Sequence, residues 1–184
     1  METPVLIFLF LALALGSFAP SWYTGSLHKK LGIRIPYLLA VSAVFNVVFF
    51  AAGYFSAVFF AGKLPFNAGI AGAAVILITG LKLILESVRF SPEEKIVLVD
   101  DAKTVFLVSL SRGFNYFFAG LGTGLCIVVP GSGFALIFGF EVLAVVSGLF
   151  SGQRFGLKPQ IRSLFLISGV GVAAVALRSV FLLF

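Results

Sequence analysis

Six long apolar stretches, separated by short polar ones, organise the chain. They run over about 4–27, 36–61, 68–88, 104–128, 132–152 and 162–184. Each approaches or exceeds the roughly 20 residues that a helix needs to cross a ~30 Å hydrocarbon core. Together they take up most of the chain and leave no room for a separate soluble domain. The pattern predicts an all-α polytopic membrane protein of about six transmembrane helices, forming one membrane domain over 1–184. Pro36 suits the first turn of the second helix, where its missing N–H costs nothing, and Pro65 and Pro130 mark connections. The first stretch reads as a spanning helix, not a cleaved signal. Glu2 precedes it, no basic segment leads into it, and its apolar run is long for a signal core.

The polar and small residues inside these stretches recur in order. Leu77-Ile78-Thr79-Gly80 in the third matches Leu166-Ile167-Ser168-Gly169 in the sixth. In the second, Asn46 stands seven residues before Gly53, and in the fifth Glu141 stands seven before Gly148; Ser56 then matches Ser151. Phe18 and Gly25 of the first match Phe117 and Gly124 of the fourth. The register predicts a duplication, with one three-helix repeat over 1–90 and the other over 103–184. Three helices per half is odd, so the halves enter the membrane in opposite senses, the inverted-repeat plan of many secondary transporters.

Composition agrees. Of 184 residues, 60% are hydrophobic and 11% charged, and the mean hydropathy is +1.16. Lipid acts as solvent for such a chain. The net charge of +6 does not indicate nucleic acid, because the basic residues sit in short loops and form no stripe. They set orientation instead. His28, Lys29, Lys30 and Arg34 follow the first helix, and Arg154, Lys158 and Arg162 follow the fifth. Arg89, Lys95 and Lys103 follow the third, beside Glu93, Glu94, Asp100 and Asp101. Of the opposite loops, one holds only Lys63 and the other no charge. The expectation is a multi-pass protein with both termini outside. The single Cys126 excludes a disulfide within the chain and a zinc site of its own.

An ionisable group within a span is costly and marks a functional candidate. Glu141 falls roughly 13 Å into the fifth helix at 1.5 Å per residue, and Arg112 reaches a similar depth from the other side. The two read as a buried pair, either a substrate or proton site on Glu141 or a neutralising lock between helices. Lys82 and Glu86 share a face of the third helix, and Lys82 can snorkel to the interface, as can Arg178. Asn46 and Asn115 are mid-span amides that either ligate a cation through oxygen or bond across helices. Gly120 and Gly124 form one GxxxG, and Gly148 and Gly152 another. Packing is their first use, and such faces also allow a homodimer. Trp22, Tyr23, Tyr37 and Tyr54 suit interfacial positions. No Ser-His-Asp, Cys-His or paired-carboxylate set can be assembled, so an enzyme is not expected.

The chain resembles the manganese efflux pump (MntP-like) family, including its divergent relatives known as sporulation membrane proteins. The resemblance covers nearly the whole chain. Its residues are Gly16-Ser17-Phe18-Ala19-Pro20-Ser21, Ile33-Arg34-Ile35-Pro36, Gly80-Leu81-Lys82-Leu83-Ile84-Leu85-Glu86, Asn115 through Gly122, and the Gly-then-basic end of the fifth helix. It implies six helices in two inverted triplets, the plasma membrane of a prokaryote, and export of a divalent cation. Manganese would be cargo, with no resident cofactor. The family carries an Asp in helix one, an Asp in helix four and a Glu in helix two. Gly16, Asn115 and Asn46 stand at those positions here, while Lys82 and Glu86 are kept. By the internal register Glu141 is the counterpart of Asn46, so one carboxylate has changed halves. The metal candidates are Glu141, Asn46 and Asn115, and the transport site adds Arg112, Lys82 and Glu86. Two other readings stand beside this one. An exporter of small amino-acid-like solutes, of the lysine-exporter superfamily, would set Arg112 against a substrate carboxylate. A non-transporting membrane scaffold would use the same charges structurally.

Overall fold

The computed structural model describes residues 3–31, 35–63, 67–88, 102–156 and 161–181, with backbone alone over 27–31, 35–42 and 102–108 and at 111. Arg34, Pro65, Arg89, Glu93, Glu94, Lys95, Asp100, Asp101 and Lys158 lie outside the described residues. So do the side chains of His28, Lys29, Lys30, Pro36, Tyr37 and Lys103.

Six helices follow one another: α1 Thr3–Leu31, α2 Ile35–Ala61, α3 Ala68–Val88, α4 Ala102–Cys126, α5 Gly131–Phe155 and α6 Ile161–Phe181. The described residues hold no strand. Five of the helices are long and apolar enough to cross a membrane. The other, α4, is the most polar of the set and carries Arg112 and Asn115. The protein is an all-α polytopic membrane protein. Phe59, Ile78, Leu143, Phe150 and Phe181 are among the large side chains left exposed. Apolar side chains on the outside of a bundle are what lipid, unlike water, accepts.

The ends differ from expectation where local chemistry decides. α1 runs on through the basic residues to Leu31. α4 stops at Cys126, because Pro130 disfavours helix just before it; the Val129 N–H then donates to the Tyr54 hydroxyl at 3.1 Å. α5 continues to Phe155 and ends where Gly156 takes a left-handed φ of 66° and donates its N–H to the Gly152 carbonyl. Glycine reaches that conformation without a Cβ penalty.

The closest helix pairs are α1 with α5, α2 with α4 and α3 with α6, followed by α3 with α4, α1 with α6, and α2 with α5. Exchanging the halves, α1 for α4, α2 for α5 and α3 for α6, leaves this set unchanged. The match extends to residues. A Cβ on Gly53 would collide with the Phe117 carbonyl, and one on Gly148 with the Phe18 carbonyl. Gly80 and Gly169 lie against each other's carbonyls. These are the pairs that the sequence register equates.

Gly120 and Gly124 pack on α2, and Gly148 and Gly152 pack on α1. Both GxxxG motifs are therefore spent inside the bundle, and neither is offered to a second copy. Tyr23 and Tyr54 are core residues, 4% and 8% exposed. Both lie on faces of their helices that are turned into the bundle.

Candidate functional site

Four polar side chains from four helices meet near the middle of the bundle: Ser17 (α1), Asn46 (α2), Tyr116 (α4) and Glu141 (α5). All are buried, and Ser17, Asn46 and Glu141 are 0% exposed. Glu141 Oε1 accepts from Asn46 Nδ2 at 2.6 Å, and Oε2 accepts from the Tyr116 hydroxyl. Asn46 Nδ2 also donates to Ser17 Oγ at 3.3 Å. Ser17 Oγ lies 3.1 Å from the Tyr116 oxygen. Tyr116 has one proton and gives it to Glu141, so Ser17 must be the donor in that contact. The four close into a ring. With Glu141 ionised, both amide protons, both hydroxyl protons and both carboxylate oxygens are used.

The ring consists of two pairs of counterparts. Asn46 is equivalent to Glu141, and Ser17 to Tyr116, one residue before the matched Phe18 and Phe117. The approximate two-fold relation between the halves therefore passes through it. Asn46 Oδ1 is the one buried oxygen of the ring without a donor.

A second cluster lies toward the Val88 end of α3. Lys82 Nζ donates to Asn115 Oδ1 at 2.6 Å, and Asn115 Nδ2 donates to Glu86 Oε2 at 3.1 Å. Lys82 and Glu86 stand 3.6 Å apart with side chains 41% and 34% exposed. Asn115 thus bridges α4 to α3 and does not join Asn46 and Glu141. Successive residues on a helix point about 100° apart, so Tyr116 faces the ring and Asn115 turns away from it. Of the three metal candidates, two are together; the oxygen of the third is engaged by Lys82.

Arg112 stands between the clusters. The buried Arg112–Glu141 ion pair expected from their depths does not form. Lys82–Glu86 is the ion pair found among the described residues, and both Glu141 oxygens are held by Asn46 and Tyr116. Nε and Nη1 of Arg112 are sealed from solvent and have no acceptor. Arg112 lines a cavity of about 10 Å³ together with Gly16, Ser17, Asn115, Tyr116 and Leu13. That is room for about one water. In the same register Leu13 is the counterpart of Arg112, and Gly16 of Asn115. The cavity therefore lies between the halves, lined by three equivalent pairs. Pro20, inside α1, has no N–H, so the Gly16 carbonyl lacks its i+4 partner.

No family model, curated protein or solved structure matches the chain.

Sequence reasoning singled out Asn46, Glu141, Arg112, Asn115, Lys82 and Glu86, and all six lie in or beside these two clusters. It missed Ser17 and Tyr116 as ring members. Their register match was the available signal, hidden because serine and tyrosine do not look alike.

Proposed function

We propose that the chain is a small secondary transporter built on the cation-efflux plan, in which the triplets 1–90 and 103–184 alternate access around Glu141. One observation carries the reading: a fully buried carboxylate sits in mid-bundle, bonded to its own counterpart from the other half. Inverted-repeat transporters bind cargo and coupling ions at such a repeat interface. Proton uptake by Glu141 would be accommodated by turning the Tyr116 and Ser17 hydroxyls, which gives the ring a route between charge states. The unpartnered Asn46 Oδ1 is a second oxygen for a cation beside the carboxylate. The site differs from a divalent-cation site in charge, because a dehydrated divalent ion wants several oxygen ligands and meets one carboxylate near a guanidinium. Manganese export is therefore the family activity to test, with an altered cargo as the structural preference. The proposal places the protein in a prokaryotic plasma membrane with both termini outside.

A second reading, export of small amino-acid-like solutes, is favoured by Arg112, which lines the cavity and has buried N–H groups without an acceptor. The deciding experiment measures cellular manganese in a bacterium lacking its own manganese exporter. Wild type, Glu141→Gln and empty vector are compared under manganese load. Wild type should lower manganese and the variant should not. Equal manganese in wild type and vector, with the chain present in the membrane, ends the manganese reading. Undiminished export by Glu141→Gln ends the carrier role.

A further inference from the structure

We infer that the Arg112 cavity binds the anionic group of a small solute. The guanidinium is a permanent cation. Its Nε and Nη1 are buried and meet no acceptor. A buried donor left without an acceptor is destabilising, so one is to be expected there. The chain's own carboxylates in the bundle are engaged elsewhere: Glu141 by Asn46 and Tyr116, and Glu86 by Asn115 and Lys82. The space beside Arg112 is of water size, which suits a halide or the head of a carboxylate.

The walls agree with such a guest. Leu13, Leu83 and Phe165 close the cavity with apolar surface, which strengthens a charge contact inside it. Ser17, Asn115 and Tyr116 add polar edges. Gly16, whose carbonyl lacks its i+4 partner, lies on the same wall. This deepens the transporter proposal by naming a cargo or co-ion class, and only its flux arm rests on that proposal.

The test uses the purified full chain. Chloride, acetate and glycine are titrated by calorimetry, with gluconate, whose six-carbon chain is far larger than the cavity, holding ionic strength constant. Wild type should bind at least one of the three saturably. Arg112→Gln should weaken that binding by roughly tenfold or more, the scale of one lost charge-assisted bond. Lys63→Gln, a surface cation remote from the cavity, should change it by less than about twofold. Binding of chloride alone assigns a halide; binding of acetate or glycine assigns a solute carboxylate. No saturable response in wild type overturns the inference, whether or not Arg112→Gln folds. Equal binding by a folded Arg112→Gln overturns it too. The same solutes are then followed into proteoliposomes. Arg112-dependent binding without flux keeps the site and defeats transport, whereas flux unchanged by Arg112→Gln keeps transport and defeats the site.

Discussion

In the first half of the chain, the positions around the bundle centre are Leu13, Gly16, Ser17 and Asn46. Their counterparts in the second half are Arg112, Asn115, Tyr116 and Glu141. On α3 the bias reverses: Lys82 and Glu86 face Gly171 and Val175 as equivalents on α6. Three packing pairs show no such divergence, whereas Gly72 and Gly122 of the α3–α4 contact correspond to Ile161 and Tyr23 of α6 and α1. Gly25 and Gly124, Gly53 and Gly148, and Gly80 and Gly169 are the same residue in both halves, and each meets backbone of a facing helix. The difference has a physical basis. Where a two-fold arrangement repeats a close helix approach, both copies must stay small. A group near the axis serves the shared space from either half, so one copy is enough. A second buried charge would only add desolvation cost.

The strongest test of this comparison concerns packing. Gly53→Leu and Gly148→Leu should each destabilise by about 3 kcal/mol or more, as overpacking against backbone does. The two losses, read from thermal unfolding in detergent, should agree within about 0.5 kcal/mol, the error of additivity between separate sites. Tolerance of one and not the other would break the equivalence of the halves.

A smaller effect is expected in the ring. Glu141→Leu leaves Asn46 and Tyr116 without their acceptor and should cost about 2–4 kcal/mol. Exchanging the pair, with Asn46→Glu and Glu141→Asn together, should recover most of that loss, since the two side chains already touch across the axis. A double variant no more stable than Glu141→Leu would show that the positions are not interchangeable.

The smallest effect belongs to the outlying cluster. Asn115→Ala should cost only about 1 kcal/mol, because Lys82 and Glu86 are more than a third and about a third exposed and can re-pair with each other or with water. A loss as large as that of Glu141→Leu would place this cluster in the structural centre instead.

Much of the architecture was legible in advance. The apolar runs marked the six helices, and the register equated Asn46 with Glu141. The site was legible as a set of residues but not as a set of contacts. Equal depth suggested that Arg112 and Glu141 would pair, yet depth says nothing of rotation about the helix axis. Asn115 looked like a partner for Asn46, and one step along α4 turned it toward α3.

By itself, then, the sequence determined the helices and their membrane setting, and it offered the register between the halves. Those depend on length, apolarity and periodicity, which are properties of a single segment in its solvent. Only the tertiary structure decided that Ser17 and Tyr116 complete a ring with Asn46 and Glu141, and that Arg112 faces a cavity without a partner. Those contacts depend on how the helices rotate and cross, and glycines in different segments set that geometry together.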